Sequence, residues 1–410
     1  MIGKMTALLL AGTLLTAGLM TGCGDSGSAS MEAQAGTAAE TAAGNGNSAD
    51  EETSAESSSG QAKENSGGQA EENSSQAKES SGGKNAADTD DIQEATRQVF
   101  AMDTYMSVTA YGSGDSAEKA VEAAEKEINR LDALFSTGEE SSEVSEINAE
   151  GQGKLSEDGA YLMKYALRLY QETEGSYDIS IYPVMKLWGF TDQNYKVPSE
   201  KELKKALDLV DGSKIDYDEE MRQVTFEKEG MAIDFGSIAK GYTSDRIMKI
   251  FEENGVISGL VNLGGNVQCY RQKTDGSDWR VAIQTPEKDE NYLGVLSCAD
   301  KAVITSGGYE RYFEEDGKTY HHIIDPATGY PADSGLLSSS IVCSDGTLAD
   351  GLSTSLFILG KDRAIEYWRA HSDEFDFILL QEDGTLLVTE GIADDFETEL
   401  EMQIIRADGK

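Results

Sequence analysis

Cysteine and histidine are scarce in this chain of 410 residues, which contains four cysteines and three histidines. No two cysteines are spaced as CxxC, so the sequence argues against a zinc site built from cysteine and histidine. The spacing of Cys269, Cys298 and Cys343 indicates no disulfide framework. We predict that these three thiols are small, partly buried side chains without a redox role.

Basic residues are also few, with 34 Lys and Arg against 75 Asp and Glu and a formal net charge of −41. Binding of nucleic acid needs an excess of Lys and Arg to neutralise phosphates, so this balance argues against it. Hydrophobic residues make up 39% of the chain, which is too many for a wholly disordered protein and too few for several membrane spans. The acidic balance favours a bound divalent cation over a second anionic polymer.

The first 22 residues have the pattern of a bacterial secretion signal. Lys4 supplies a positive start, and the apolar stretch that follows is too short to span a bilayer comfortably. Thr21-Gly22-Cys23 resembles the lipobox of bacterial lipoproteins, in which the cysteine is diacylated. We therefore predict a lipoprotein signal peptide, a lipid anchor at Cys23 and a location on the extracytoplasmic side of the cell membrane. An ordinary cleaved signal peptide or a short anchor helix are the alternatives.

Residues 23–92 consist largely of Ser, Gly, Ala, Gln, Asn and Glu, with imperfect repeats that begin at Gln61, Gln69 and Gln76. Such a segment has too few large apolar side chains to offset the entropy lost on ordering it, so we predict a disordered tether. The remaining residues, 93–410, are predicted to form the folded domain, without a second linker.

Hydrophobic periodicity in residues 93–410 predicts both strands and helices. Asp115 has the pattern of an N-cap, and apolar residues follow it at helical spacing: Ala117, Ala120, Val121, Ala124, Ile128, Leu131 and Phe135. Further helices are predicted at 156–173, 237–254, 348–359 and 363–370. Strands are predicted at 100–111, 224–234, 259–263, 279–284, 302–306 and 321–324, and around Val388 paired with 401–405. The order follows no strict β-α-β repeat, so we predict an α+β fold.

Two segments place glycines beside polar groups where predicted strands end. Asp234 precedes a predicted helix start at Ser237, and Lys240 lies one turn further on. A carboxylate there can ligate a hard cation and the lysine can reach a phosphate; a capped helix with an exposed lysine is the alternative. In residues 262–266, paired glycines allow close approach of a ligand and two asparagines can bond its polar edges, although a simple turn has the same pattern.

A third segment, residues 304–331, is followed by a predicted helix that carries Asp350 and Thr354. These two residues are four apart and share one helical face. Their carboxylate and hydroxyl can offer oxygens to one Mg²⁺, which prefers few protein ligands together with substrate phosphates. Asp325 stands before Pro326, and we expect it to form a turn.

Taken together, these segments resemble the ApbE family of FAD:protein FMN transferases over about residues 101–405. Seven segments carry the resemblance in order: 102–104, 187–190, 234–242, 262–266, 305–311, 322–331 and 349–360. It implies a single catalytic domain of mixed strands and helices, related to the T-fold. It also implies that FMN is transferred from FAD to a Thr or Ser hydroxyl of an acceptor flavoprotein through a phosphoester bond, with release of AMP and dependence on Mg²⁺.

The resemblance also implies roles for individual residues. His322 is the candidate general base, because an imidazole titrates near neutral pH; a structural histidine beside a strand is the alternative. FAD contacts are implied for Met102, Leu187, Trp188, Gly189, Asp234, Lys240 and Ile324. Metal ligands are implied at Ser237, Asp350 and Thr354.

Three positions depart from the family pattern. Asp103 stands where the family usually has glycine, Gly138 where many members have a tyrosine against FAD, and Ser353 where some members have an acidic metal ligand. We expect other contacts to preserve binding, with weaker flavin stacking and metal affinity.

Two other functions fit the same residues. One is a metal-dependent FAD pyrophosphatase, in which water replaces the protein hydroxyl and FMN and AMP are released. The other is a non-catalytic flavin-binding lipoprotein. For a transferase, the resemblance points to membrane-associated acceptors, such as subunits of ion-pumping electron-transport complexes or extracellular reductases.

Overall fold

The computed structural model describes residues 92–286 and 291–409. The predicted signal peptide, Cys23 and all but the last residue of the predicted tether lie outside the described residues. Within the described part, no helix is long and apolar enough to cross a membrane.

Helices and strands alternate irregularly along the described residues. The helices are α1 (Ser116–Phe135), α2 (Glu143–Glu150), α3 (Glu157–Glu172), α4 (Tyr182–Trp188), α5 (Glu200–Leu207), α6 (Ala239–Glu253) and α7 (Gly346–Ala370). The strands are β1 (Ile92–Ala101), β2 (Thr104–Ser113), β3 (Gln152–Lys154), β4 (Ile215–Asp218), β5 (Gln223–Phe226), β6 (Ser258–Leu263), β7 (Asn266–Tyr270), β8 (Trp279–Gln284), β9 (Tyr292–Cys298), β10 (Ala302–Gly307), β11 (Tyr312–Glu315), β12 (Lys318–His321), β13 (Leu336–Cys343), β14 (Asp376–Gln381), β15 (Leu386–Thr389), β16 (Phe396–Glu397) and β17 (Met402–Ile405).

A nine-stranded sheet in the order β1-β2-β6-β7-β10-β13-β14-β15-β17 forms the centre of the fold. Its pairs are antiparallel except β15 with β17, which is parallel. Smaller sheets are formed by β16-β9-β8, β3-β5-β4 and β11-β12. The mixture of antiparallel pairing and helices confirms the predicted α+β class.

The central strands are buried on both faces. On β10, Ala302 and Ile304 pack with the helical layer of α1, α3, α6 and α7, while Val303 between them packs against the three-stranded sheet of β8, β9 and β16. Successive side chains of a strand point to opposite faces, so each layer receives every second residue. This three-layer packing holds β7, β10, α6 and α7 in fixed positions around the candidate site.

Several sequence predictions are confirmed. All seven apolar residues predicted for the buried face of α1 are buried. The helix predicted at 156–173 is α3, and the structure adds that Ser156 caps it by accepting the Gly159 N–H at 3.1 Å. The two predicted C-terminal helices are separated by the non-helical Gly360, with φ 73° and ψ 175°. β15 pairs with β17, as predicted for Val388 and residues 401–405.

Other boundaries were wrong. The strand predicted at 224–234 ends at Phe226, and α6 begins at Ala239, so Ser237 lies in the loop before the helix. The strand predicted at 321–324 instead ends at His321, and only Ile324 continues with a single bridge to Pro331.

The strand predicted at 100–111 is interrupted by a hairpin turn. Ala101 pairs with Thr104, and the two residues between them, Met102 and Asp103, have φ values of 49° and 59°. Positive φ at both central residues is typical of the two-residue turn whose twist matches the strands. Asp103 therefore occupies a left-handed position that glycine adopts freely and that aspartate tolerates better than most residues.

Candidate functional site

The seven segments, which are far apart in the sequence, are joined to one another by direct contacts. Trp188 Nε1 donates to the Gly329 carbonyl at 2.8 Å, and Arg311 Nη2 donates to the Phe190 carbonyl at 2.6 Å. A Cβ added to Gly264 would lie 2.3 Å from Thr104 Oγ1, so the 262–266 turn packs directly on the hairpin. Hydrogen bonds of Asp350, Thr354 and His322, described below, join the remaining segments.

Asp350 lies in the second turn of α7 with only 4% of its surface exposed. Its Oδ2 accepts the Gly241 N–H from the first turn of α6 at 2.8 Å. Its Oδ1 accepts from Asn266 Nδ2 at 2.9 Å. Burial raises the pKa of this carboxyl, and the Lys240 ammonium opposes that rise. The Lys240 backbone N–H also bonds this carboxylate, and its two oxygens still have a further lone pair for a cation.

Glycine is required where α6 meets α7. A Cβ on Gly241 would lie 2.1 Å from the Gly346 carbonyl oxygen and 2.6 Å from Asp350 Cβ. The two helices therefore cross backbone against backbone. This close approach is what allows the Asp350 carboxylate to receive a free N–H at the positive end of α6.

Hydroxyl groups extend the site along α7. Ser353 Oγ donates to the Asp350 carbonyl at 2.8 Å and lies 2.7 Å from Ser306 Oγ. Ser306 Oγ also lies 3.3 Å from Thr354 Oγ1. The Ser353 hydroxyl donates its one proton to the Asp350 carbonyl, so the Ser306 hydroxyl must donate to Ser353. The Thr354 hydroxyl can then donate to Ser306, which leaves the lone pairs of the Thr354 oxygen available to another group.

Ser237 and Asp234 occupy the loop that enters α6. Ser237 Oγ donates to the hydroxyl of the buried Tyr177 at 3.0 Å. Asp234 Oδ1 accepts the Gly236 N–H at 2.8 Å. Burial raises the pKa of Asp234, while Arg311 and Lys240 act in the opposite direction, which places Asp234 within electrostatic reach of both cations.

Lys240 and Arg311 are the two cations of the site. Within residues 92–286 and 291–409, neither forms an ion pair within 4.0 Å, and both act on Asp234 from a distance. Charged donors without a carboxylate partner are suited to a ligand with phosphate oxygens. The sequence reasoning selected Lys240 and missed Arg311, although Arg311 closes one of the seven segments of the resemblance.

His322 is fixed by a single carbonyl. The backbone N–H of His322 donates to the Arg311 carbonyl oxygen at 3.0 Å, and the ring atom Nδ1 of His322 lies 3.2 Å from the same oxygen. A carbonyl only accepts, so Nδ1 carries the proton and Nε2 presents its lone pair.

The expectation that His322 titrates near neutral pH was wrong for the free protein. Burial, with added repulsion from Arg311, His321 and Lys240, lowers the pKa of His322 to about 3. The imidazole is therefore unprotonated at neutral pH and able to accept a proton, but it is a weak base until an anion neutralises the cations around it.

The segment around Trp188 has a packing role. The Trp188 side chain is fully buried with Phe190 and Ile324, and Gly189 adopts φ 78° where a Cβ would lie 2.0 Å from the Asn194 carbonyl oxygen. The indole face is thus covered by protein, and Leu187 is the half-buried residue of the predicted group. FAD contact by this segment stays a prediction, and it would involve Leu187 or the backbone.

A cleft of about 320 Å³ lies between the hairpin turn and the β10–β11 connection. It is lined by Asp103, Phe190, Thr191, Asp192, Gln193, Tyr195 and Arg311. Met102, which precedes Asp103 in the hairpin turn, donates its N–H to Asp132 Oδ1 at 3.0 Å. A cavity of about 350 Å³ beside α2 contains none of the predicted site residues.

The two asparagines that were expected to bond a ligand form hydrogen bonds within the protein instead. Asn262 Oδ1 accepts the Gly265 N–H at 2.8 Å, which supports the interpretation as a turn, and Asn266 is committed to Asp350. Asp325 Oδ1 accepts the Ala327 N–H at 2.9 Å, so the predicted turn there is confirmed.

The oxygen atoms near Asp350 fit a hard cation better than a transition metal. Among the described residues, no group of three or more His, Cys, Asp or Glu side chains could hold a metal ion. A metal here must therefore combine one carboxylate with hydroxyl, backbone and substrate oxygens. Asp350, Thr354 and Ser237 supply that chemistry, and a buried carboxylate whose pKa is raised by burial is stabilised by a cation.

Comparison with known proteins gives a consistent result. The sequence profile of the ApbE family matches residues 102–379. The FAD:protein FMN transferase of Haemophilus influenzae is 33% identical over 270 residues, covering 63% of this chain and 77% of that protein. The enzyme of the same name from Treponema pallidum is 30% identical over 324 residues, covering 74% and 89%. The crystal structure of the ApbE protein of Thermotoga maritima aligns with a TM-score of 0.67 at 32% identity, covering 73% of this chain and 98% of that one.

Proposed function

This chain belongs to the ApbE family, and we propose that it acts as an FAD:protein FMN transferase. We propose further that the acceptor is a Ser or Thr hydroxyl, that the product is a phosphoester, and that the reaction needs Mg²⁺. The observation that carries this proposal is the contact between Asp350 and the N-terminus of α6, beside two cations, Lys240 and Arg311, that act on Asp234.

FAD is bound through its pyrophosphate in this proposal. Lys240 and Arg311 bond the phosphate oxygens, since charge-assisted bonds to phosphate are among the strongest hydrogen bonds in proteins. Met102, which precedes the cleft residue Asp103 in the sequence, contacts FAD, and Leu187, Gly189 and Ile324 contribute further contacts. Asp234 stays close to both cations and orients them.

Asp350, Thr354 and Ser237 would hold the Mg²⁺ ion. When bound, Mg²⁺ neutralises negative charge on the phosphate oxygens. Asn266 and Gly241 keep the Asp350 carboxylate in one orientation. Tyr177 holds the Ser237 hydroxyl from the buried side.

His322 receives the proton of the acceptor hydroxyl. Its Nε2 is the free nitrogen, because Nδ1 donates to the Arg311 carbonyl. The hydroxyl oxygen forms a bond to the FMN-side phosphorus as the bond from that phosphorus to the AMP oxygen breaks. A bound pyrophosphate next to Arg311 and Lys240 weakens the repulsion that lowers the His322 pKa, so the base gains strength when FAD is present.

One incubation separates transfer from the two alternatives. The purified chain is mixed with FAD, Mg²⁺ and a candidate acceptor protein. Covalent flavin on the acceptor supports transfer, free FMN with AMP supports hydrolysis, and intact FAD supports storage. The acceptor is found by pull-down and mass spectrometry for an FMN adduct on Ser or Thr, and we expect a membrane-associated flavoprotein.

We also propose that the protein is a lipoprotein anchored at Cys23 on the extracytoplasmic side of the membrane. The basis is the Thr21-Gly22-Cys23 pattern after an apolar stretch. Cys23→Ser should release the protein from the membrane fraction with FAD turnover intact. Unchanged membrane partitioning of this variant would contradict the proposal.

A further inference from the structure

Two cysteines that are far apart in the sequence meet between the sheets. Cys269 lies on β7 of the nine-stranded sheet, and Cys298 is the last residue of β9 in the three-stranded sheet. Their Sγ atoms are 3.9 Å apart. Both belong to the apolar layer that joins the two sheets, with exposed fractions of 1% and 8%.

Backbone hydrogen bonds and strand pairing hold Cys269 and Cys298 close together. Cys269 N–H donates to the Lys301 carbonyl at 2.9 Å, just beyond the end of β9, and Cys298 pairs with Trp279 of β8. A disulfide is about 2.05 Å long, so the sulfurs must still approach by rotation of the two side chains. The strand pairings on either side stay as they are.

We propose that Cys269 and Cys298 form a redox-modification site, in which a small disulfide oxidant converts them into an intramolecular disulfide that cross-links the two sheets. This differs from the sequence-based expectation of three thiols without a redox role. Cys343 stays a thiol. It faces the helical layer, and its Sγ donates to the Asp345 carbonyl at 3.0 Å.

The reaction is a thiol–disulfide exchange in two steps. Cys298, the more exposed thiol and the one whose pKa is lowered by a hydrogen bond from Cys269, attacks one sulfur of the oxidant and releases a thiol. Cys269 then attacks the Cys298 sulfur of the mixed disulfide and releases the second thiol. The protein loses two protons and two electrons, and the oxidant gains them.

The cross-link should stabilise the fold. It closes a loop between residues 29 apart in the sequence, which restricts the unfolded chain. For a domain of this size, the expected rise in the melting temperature is roughly 5–10 °C. The predicted export of the chain would place the pair in an oxidising environment, where disulfides persist.

The test uses the full chain with Cys23→Ser, so that the fourth cysteine does not compete. The reduced protein is incubated with hydroxyethyl disulfide, quenched with acid, unfolded, alkylated with N-ethylmaleimide and digested. Mass spectrometry should find a peptide that links Cys269 to Cys298, with Cys343 alkylated. The melting temperature should rise, and reductant should reverse both changes.

Cys343→Ser is the matched control and should keep the linked peptide and the stabilisation. Cys298→Ser and Cys269→Ala should lose both, with the circular dichroism of the reduced parent retained. Recovery of Cys269 and Cys298 as alkylated thiols, or as separate mixed disulfides with the oxidant, would overturn the proposal. The peptide map of the parent protein decides the question even if a variant does not fold.

Discussion

The N–H of Gly241 donates to the carboxylate of Asp350 across 2.8 Å and joins the first turn of α6 to the second turn of α7. The bond forms because Gly241 has no side chain, so α6 can approach the Gly346 carbonyl and the Asp350 Cβ of α7 closely. It fixes a buried carboxylate at the positive end of a helix. In the proposed mechanism this carboxylate holds the metal, and the nearby Lys240 is one of the two cations that bind phosphate.

Asp350→Ala should lower the rate of AMP release about a hundredfold or more, because the proposed metal loses its charged protein ligand. Asp350→Asn keeps an oxygen and should recover part of the rate at high Mg²⁺. The measurement is AMP release from FAD as a function of Mg²⁺ concentration. Asp345→Asn is the matched control, since Asp345 caps α7 outside the site and should leave the rate unchanged. Near-normal release from Asp350→Ala at low Mg²⁺ would remove Asp350 from the metal site.

His322→Gln should abolish transfer while FAD affinity and Mg²⁺ dependence stay near normal, because only the proton acceptor is lost. Labelling of the acceptor and FAD binding by fluorescence are measured on the same preparation. His371→Gln is the control, since His371 bonds Glu374 at the C-terminal end of α7 and should retain transfer. Normal labelling by His322→Gln would refute the role of His322 as base.

The pKa of His322 also predicts a pH dependence of stability. The folded protein holds this imidazole neutral, with a pKa of about 3, whereas an unfolded histidine titrates near 6.5. The unfolded chain therefore binds the extra proton as the pH falls below about 6.5, and the folded state loses stability down to about pH 3. Urea unfolding between pH 7 and 4 should show a shallower loss in His322→Gln. Equal slopes would mean that His322 is not held neutral by the fold.

Arg311→Gln should raise the dissociation constant for FAD roughly ten- to 150-fold, because a charge-assisted bond to phosphate contributes roughly 1.5–3 kcal/mol. Arg311→Lys keeps the positive charge and should lose less of the affinity for FAD. The control is Arg280→Gln, which removes an exposed cation paired with Glu397 and should leave the dissociation constant for FAD unchanged. Isothermal titration with FAD provides the test, and unchanged affinity in Arg311→Gln would exclude contact with the pyrophosphate.

Gly138→Tyr should tighten FAD binding by about two- to tenfold, because it restores the aromatic residue that the family places against FAD, and aromatic stacking contributes about 0.5–1.5 kcal/mol. Gly138 is exposed, and the nearest atom to an added Cβ is Ser136 Oγ at 3.8 Å, so the larger side chain fits. Gly138→Ala is the control, because it changes the conformational freedom of the backbone without adding an aromatic ring. A tyrosine variant that binds FAD no better than the alanine variant would show that position 138 does not face the flavin.

Local pattern was sufficient for much of the secondary structure, whereas the resemblance of seven ordered segments to the ApbE family indicated the chemistry. The apolar face of α1, the helix α3 and the break at Gly360 depend on neighbours within a few residues, so hydrophobic periodicity and helix-ending glycines predicted them. Asp115 precedes α1 as predicted, but its side chain makes no capping hydrogen bond. The hairpin at Met102 and Asp103 was missed because alternation continues through a two-residue turn, and only the positive φ values distinguish it from a strand.

Tertiary packing decided which groups of the site act together and how they ionise. Asp350 could be selected from its spacing to Thr354, but its contact with Gly241 lies 109 residues away in the sequence and requires a particular helix crossing. Arg311 became a site residue only when the structure bonded its carbonyl to His322 and brought its charge within electrostatic reach of Asp234. The low pKa of His322, caused by desolvation and nearby cations, and the approach of Cys269 to Cys298 between the two sheets likewise depend on contacts between distant segments. Burial depends on which surfaces pack together, and that information is absent from the order of residues along any one segment.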